Sequence, residues 1–580
     1  MTELYRGKLP QLENREFDVA YITPEILLAP EIRSGSGGLG VVAGSFMNEL
    51  ELRYNKHRTK AVAVAFYCSH GYQTQVVRRG NGDGGYMDVT YENDPQPEFT
   101  EDTGKRIKLI IAGRECTVAI RQPRDRARNH TAIILLDTDI PENEPDFRMI
   151  TRVLYGERHA TAHFTESHEP WHNISWLRVM QAAVLGIGAY EVFKALNITT
   201  KLTHLNESHA LLYLIRELGE YMKEGKSFEA ALELVRARSR FTNHTILSSA
   251  NRWYAKSMVL DVGGHYPGFN HEVLHRVHER DQHSLSMTDA ALYLVGPGHA
   301  NGVSVDHARI ANRLWPGYDI MPVTNGVLPE MFQHPEFALL DKPSQIPDLK
   351  LHLQNEIYDT LRERLRLASW TSDVDRQHVL DSVFIAWARR CQEYKRPGLM
   401  WHGAELPLVK TLLEWRWISV AWGGFVHPDD HDMKKDWNKY FQRFRDFKNV
   451  MPVFNYRVDL MRDLKGAAQI WLNTPQYGKE ACGTSWMSAM LNCALVVSTP
   501  DGAVPEAKHV VVFGSDEEGE WHTQYQRDAK ELWQTLVPNI GALRDNNPVI
   551  LDFLFNAKLE AEEQFSAERM VRDYITKLYP

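Results

Sequence analysis

Residues 480–493 read Glu-Ala-Cys-Gly-Thr-Ser-Trp-Met-Ser-Ala-Met-Leu-Asn-Cys, and the line runs on to Thr-Pro-Asp-Gly-Ala-Val-Pro-Glu at 499–506. The apolar run Ala467–Asn473 before it has the length of a buried strand. A carboxylate and small residues then give way to Trp486, Met487, Met490 and Leu491 at helical spacing. This predicts a short loop feeding a helix, with backbone amides aimed at a polar ligand and Glu480 as an added acceptor. The same apolar residues also suit an ordinary helix core. A second apolar run, Ala494–Thr499, closes the unit as another strand.

Working outward, the second half repeats this alternation. Strands are expected at Val383–Trp387, Ile418–Trp422, Val450–Phe454 and Val510–Phe513, with helices at 404–414, 432–448, 456–465 and 521–537. Apolar runs separated by helical stretches predict a parallel, doubly wound sheet. Directly after the Val383–Trp387 strand comes Arg389-Arg390-Cys391-Gln392-Glu393-Tyr394-Lys395-Arg396. Such a run is either a solvated face or, at a strand's carboxyl end, a phosphate site, since Arg and Lys supply charge and several donors.

The first half has its own strands, at Lys60–Tyr67, Ala132–Leu136 and Lys201–Leu205, with a hairpin pair at Leu109–Ile111 and Cys116–Ile120. His70-Gly71-Tyr72 reads as a turn. Gly35-Ser36-Gly37-Gly38-Leu39-Gly40 opens a helix and is either a plain tight turn or a loop whose amides approach a phosphate or sugar. No lysine follows it, so it is not a P-loop. Asn206-Glu207-Ser208-His209 and Phe241–Thr245 sit at strand ends, where open α/β sheets bind ligands. Asp137 and Asp139 read as loop residues and caps rather than metal ligands. The charged, proline-bearing stretch 337–349 reads as a crossover between domains, and Ala561–Lys577 as a terminal helix.

At 580 residues the chain is too long for one ordinary core. Its formal net charge of -9 argues against a broad nucleic-acid surface. Five cysteines, at 68, 116, 391, 482 and 493, have neither metal-ligand nor disulfide-framework spacing, which fits a reducing, cytoplasmic setting. The sequence begins without a basic region followed by an apolar one, and no run reaches transmembrane length, so no membrane association is expected.

These segments, in this order, resemble the α-glucan (glycogen/maltodextrin) phosphorylase family, particularly its compact archaeal and bacterial branch. The resemblance covers nearly the whole chain. It runs from Tyr21–Phe46 through Phe66–Gln73, Leu136-Asp137-Thr138, His204–His209, Thr242–Thr245, Asn301–Ser304 and Thr324–Val327. It continues through Arg390–Arg396, Tyr456-Arg457, Trp471–Pro475 and Glu480–Asn492. It implies an α/β chain of the GT-B kind, two Rossmann-like doubly wound domains facing across a cleft. The expected division is 1–335, carrying the glycine loop and the acceptor side, then 336–555 for donor and phosphate, then a helix over 556–580 that packs back on the first domain.

Carried over by position, Gly37, Gly38, Leu39 and Gly40 form the phosphate-facing loop. Arg390 and Lys395 match the residues that hold the substrate phosphate. His244 matches the histidine whose main-chain carbonyl faces the reacting sugar, and these three are the expected catalytic residues. Asn325, Glu480, Ala481, Cys482 and Gly483 match sugar-hydroxyl contacts. Tyr456 matches a tyrosine near the cofactor phosphate, and His209 a histidine on the active-site side. The segment His427-Pro428-Asp429-Asp430-His431-Asp432 matches a family loop, and no metal is expected there.

One departure stands out. Family members place a lysine bound to pyridoxal phosphate where this chain has Ser488, and a hydroxyl forms no Schiff base. Trp486 adds bulk beside it that could fill cofactor space. The expectation is therefore that no cofactor is used and that pyridoxal phosphate is not held. Three readings follow. The first is a cofactor-independent, retaining glycosyltransferase using a sugar 1-phosphate or sugar nucleotide donor and a small-molecule or glucan acceptor. Retention follows by family analogy, since no pair of carboxylates reads as nucleophile and acid/base. The second is a non-catalytic binder of sugar phosphate or glucan, and the third an atypical α-glucan phosphorylase. A homodimer is compatible with each.

Overall fold

The runs Glu16–Ile22 (β1) and Ala61–Phe66 (β2) pair in parallel, with every residue of β2 buried. Strands covered on both faces carry continuous apolar sequence rather than alternation. The computed structural model describes residues 12–32, 34–35, 37–69, 75–79, 87–91, 99–124, 128–152, 154–155, 170–246, 252–368, 370, 374–402, 406–427, 430–444, 447–517 and 519–580. The expected turn at His70-Gly71-Tyr72 and residues 428–429 of the His427–Asp432 segment lie outside these.

The chain forms two compact units. One comprises residues 1–71, 93–324 and 570–580, and the other residues 72–92 and 325–569. The first contains a nine-stranded sheet. Its further strands are Thr100–Ile111 (β3), Arg114–Pro123 (β4), Thr131–Asp137 (β5), Thr199–Asn206 (β6), Ser239–Asn243 (β7), Ala300–Gly302 (β8) and Met321–Pro322 (β9). The order is β9-β8-β7-β6-β1-β2-β5-β4-β3. All pairs are parallel except the hairpin β3–β4 and the pair β4–β5. The last residues of the chain pack within this unit. Tyr579 Oη lies 2.7 Å from His204 Nδ1, and Arg240 donates to the Pro580 carbonyl at 2.9 Å.

The second unit contains a six-stranded sheet of Val383–Arg390 (β10), Ile418–Phe425 (β11), Val450–Val453 (β12), Ile470–Asn473 (β13), Leu495–Ser498 (β14) and Val511–Val512 (β15). Every pair is parallel, in the order β12-β11-β10-β13-β14-β15. The order reverses direction on either side of β10, so the loops after β10 and β13 emerge side by side. That switch point is where open sheets bind ligands.

The terminal helix differs from expectation. Pro548–Gln564 and Ala567–Asp573 are separate helices. Between them the chain runs extended against Val327, whose N–H donates to Phe565 O and whose carbonyl accepts from Ala567 N, both at 2.9 Å. The approach requires Gly326, since a Cβ there would lie 2.1 Å from Ser566 O. Backbone pairing outcompetes two helical hydrogen bonds at this point.

Among the described residues no helix is long and apolar enough to cross a membrane.

Candidate active site

In the second unit, polar groups gather at the carboxyl ends of β10 and β13. Lys395 Nζ donates to both oxygens of Glu480, at 3.0 and 2.9 Å. Arg389 Nη1 reaches Glu480 Oε2 at 3.5 Å, and its Nη2 donates to Asn473 Oδ1. Arg389 is buried, and Arg390, half-buried at the end of β10, is near enough to act on both Lys395 and Glu480. Below this cluster Asp501 gathers the loop backbone, accepting from Gly478 N, Lys479 N and Glu480 N at 3.0, 3.2 and 2.7 Å.

The charges set each other. Burial pushes the Lys395 ammonium down to about 8, Glu480 opposing and Arg389 reinforcing the change. Burial alone would raise the Glu480 carboxyl, but Lys395 and Arg389 outweigh it and hold it below its ordinary value. Burial thus sets the direction for Lys395, and the neighbouring cations set it for Glu480. Burial lifts Asp501 to about 7 despite these amide donors and a fourth, Gly502 N at 3.0 Å.

Other expected residues of this unit are nearby. Tyr456 Oη is buried without a hydrogen-bond partner among the described residues, and burial raises it, with Arg389 pulling the other way. Asn325 Oδ1 is also buried with no partner among the described residues, while its backbone approaches the Cys482 thiol and its carbonyl accepts from Arg569. Ala481, Cys482 and Gly483 complete the loop, and Gly483 takes a left-handed φ of 82°. The helix after it, Thr484–Met490 (α3 below), has only seven residues. Arg390 ends β10, half-buried.

In the first unit, Glu25 accepts from Gly37 N at 3.0 Å and from Tyr155 Oη at 2.9 Å. Gly37 precedes the helix Gly38–Leu52 (α1), whose first turn holds Gly38, Leu39 and Gly40. Thus Glu25 takes one amide of the glycine loop. A Cβ on Gly40 would sit 3.0 Å from that carboxylate. His244 is held through N–H to Glu207 Oε2 at 2.9 Å and Nε2 to Asn206 Oδ1 at 2.6 Å. Glu207 adopts φ 84°, a strained value for a residue with a Cβ. Burial pushes His209 and His244 down to about 3, so both rings are neutral at pH 7. His209 Nδ1 has no partner among the described residues. Asp137 and Asp139 are tied to Arg121 and Arg148, at 2.6 and 2.8 Å. No group of His, Cys, Asp and Glu among the described residues suits a metal.

The position of Ser488 has a neighbour that local reading misses. Lys465, near the end of the helix Val458–Ala467 (α2), donates from Nζ to Ser488 Oγ of α3 at 2.7 Å. Both side chains are buried. Burial pushes the Lys465 ammonium down to about 7, with Arg389 adding to the effect. Trp486 points elsewhere: its ring packs edge-on against Phe565 at 4.8 Å, and its N–H donates to Cys482 O at 3.3 Å. Two residues along a helix turn about 200°, which carries Trp486 away from Ser488.

A two-unit α/β protein with buried cations at the switch point of its second sheet fits an enzyme acting on a phosphorylated ligand. Comparison with known proteins narrows the class. The carbohydrate phosphorylase family matches residues 442–541. Maltodextrin phosphorylase of Thermococcus litoralis is 27% identical, over 97% of this chain and 70% of that protein. Glycogen phosphorylase of Aquifex aeolicus is 26% identical, over 97% of this chain and 86% of its own length. An uncharacterized protein of Methanocaldococcus jannaschii is 28% identical, over 97% of this chain and 99% of its own. The chain is thus homologous across most of its length to glycogen and maltodextrin phosphorylases, which supports a carbohydrate-acting enzyme on a phosphorylase-like scaffold.

This homology corrects the expectation of no cofactor. Similarity across most of the chain to phosphorylases implies use of pyridoxal phosphate. The physical grounds for excluding it also fail. Trp486 packs against Phe565, and a buried amine stands 2.7 Å from the Ser488 hydroxyl. Among the described residues Tyr456 Oη and Arg389 Nε are buried without a hydrogen-bond partner, and Arg389 lies close enough to act on both Lys465 and Tyr456. These residues fit the group.

Proposed function

We propose that this protein is an α-glucan phosphorylase, transferring a glucosyl unit between the end of a glucan and phosphate, with pyridoxal phosphate bound in its second unit. The observation that carries the reading is the buried cluster of Arg389, Lys395 and Glu480 at the switch point. A water-poor site with more positive than negative groups favours a multiply charged phosphate, which would draw Lys395 away from Glu480. The donor is a sugar 1-phosphate rather than a sugar nucleotide, by similarity to relatives named as phosphorylases.

In this reading Arg390 and Lys395 hold the phosphate that leaves or attacks the anomeric carbon, with Arg389 behind them. Glu480 and Asn325, together with the loop Ala481–Gly483, orient sugar hydroxyls. Asn325 Oδ1, without a partner among the described residues, is suited to accept one. His209 and the main chain at His244, both in the first unit, are the proposed contacts to the glucan. The ring of His244 is fixed by Asn206 and kept neutral by burial. Lys465 and Tyr456 would hold the cofactor, which when bound supplies an ionisable phosphate able to exchange a proton with the substrate phosphate.

The test is release of glucose 1-phosphate from a maltodextrin and inorganic phosphate by protein saturated with pyridoxal phosphate. Activity should fall at least ~100-fold in Arg390→Ala and Lys395→Ala, since each loses a charge-assisted contact in a buried site. If the protein binds glucose 1-phosphate by calorimetry yet neither releases it nor extends a maltodextrin, the reading falls and a non-catalytic binder stands.

A further inference from the structure

Among the described residues three lysines of the second unit are buried, Lys350, Lys465 and Lys558, and they differ in how their ammonium groups are satisfied; Lys558 pairs with Glu562 at 2.9 Å. Lys350 Nζ donates to four carbonyls, of Lys465, Gly466, Ala468 and Asn492, at 2.6–3.3 Å. It is a structural tie with no capacity left over. Lys465 Nζ has one hydrogen-bond acceptor among the described residues, the Ser488 hydroxyl at 2.7 Å. It makes no ion pair among them, and its other neighbour is the Trp471 ring, 5.1 Å from ring centre to nitrogen. A buried ammonium with a single neutral acceptor is costly to keep, and such an arrangement calls for a role.

Its location supplies one. The Ser488 hydroxyl occupies the γ position of that side chain, and a lysine there would carry its nitrogen three bonds further on. Lys465 brings an amine to the same oxygen from the neighbouring helix α2 instead of from α3. Ser488 Oγ in turn donates back to Ser485 O at 3.0 Å, which fixes its lone pairs toward the amine. Resting on the cofactor use put forward under Proposed function, we propose that Lys465 is the residue that binds pyridoxal phosphate covalently, the attachment point having moved from position 488 to position 465.

The step balances simply. The neutral ε-amine adds to the aldehyde carbon, the carbonyl oxygen leaves as water, and a carbon–nitrogen double bond remains. No oxidant or reductant takes part. Burial favours the neutral, nucleophilic amine at neutral pH, as it does for other imine-forming lysines.

The experiment uses the full chain, stripped of cofactor, reloaded with limiting pyridoxal phosphate, reduced with borohydride and mapped by peptide mass spectrometry. A stoichiometric adduct on Lys465 is expected, with none on Lys350. Before reduction the sample should show the visible absorbance of a protonated imine. Lys465→Met, which keeps an unbranched apolar chain in the same space, should lose both signals. The double variant Lys465→Met/Ser488→Lys should regain them, with the adduct at position 488. Mapping to Lys395, Lys479 or Lys508, or cofactor retained through dialysis without any adduct, overturns the assignment. Wild-type mapping decides the matter even if a variant fails to fold. Glucose 1-phosphate release, measured separately, distinguishes the two ideas. Activity without the Lys465 adduct refutes only the attachment point, and the adduct without activity refutes only the proposed reaction.

Discussion

Glu480→Gln keeps the shape of the side chain and removes the one carboxylate that both Lys395 and Arg389 contact. The side chains of Glu480, Lys395 and Arg389 are 10%, 14% and 5% exposed, so water screens them little. Removing one partner of such a cluster costs about 3–5 kcal/mol, and residual hydrogen bonding to the glutamine oxygen places the loss near 3 kcal/mol. The deficit should depend on pH. Without Glu480 the Lys395 ammonium falls further below about 8, whereas in the unfolded chain it stays near 10.4. The unfolded state then binds more protons between those values, so the variant regains stability as pH rises from 7 to 10.

Phosphate should reverse the deficit as well. In the wild type, an incoming phosphate must displace Glu480 from Lys395. In the variant it meets uncompensated cations, and about 1.4 kcal/mol of recovered energy already tightens binding tenfold. Urea unfolding followed by tryptophan fluorescence at pH 7 and 9, with and without phosphate, reads all three effects. Calorimetry should show phosphate bound at least ~10-fold tighter by Glu480→Gln. A deficit independent of pH and phosphate, or weaker phosphate binding, would refute the idea that Glu480 is the internal counter-ion the substrate replaces.

In the first unit, burial pushes His204, His209 and His244 down to about 3 and His307 to about 4. The unfolded chain protonates near 6.5, so stability is complete above that pH and is lost as pH falls toward 4. Unfolding at pH 5 should take up close to four protons by these histidines, measurable from the pH dependence of calorimetric stability, and an uptake near zero would contradict their burial. Gly44→Ala should destabilise by about 2 kcal/mol or more, because its Cβ would lie 1.8 Å from Leu27 O. Gly541→Ala, in a helix with nothing within 4 Å of the added carbon, should stabilise by about 0.5–1 kcal/mol in the same thermal-melt series.

The continuous apolar runs at 383–387, 418–422, 467–473 and 494–499 made the parallel second sheet legible, because strands buried on both faces and crossed by helices leave that pattern. The resemblance in motif order likewise anticipated homology to glycogen and maltodextrin phosphorylases. Sequence also showed that position 488 lacks a lysine, but the conclusion drawn from it, that pyridoxal phosphate is excluded, was wrong. The run Arg389–Arg396 announced positive charge without saying that Arg389 is the arginine turned to Glu480 and Asn473.

Local periodicity reports what a residue's own helix or strand buries, since each repeat is a property of one element. It carries no distance between elements. Lys465 and Ser488 are 23 positions apart on two helices, Trp486 turns to Phe565, and the C-terminal helix breaks where Phe565 and Ala567 pair with Val327. Each of these contacts exists only once the helices have packed on the sheet, and packing alone brings a buried amine to the hydroxyl where the sequence showed only an absence.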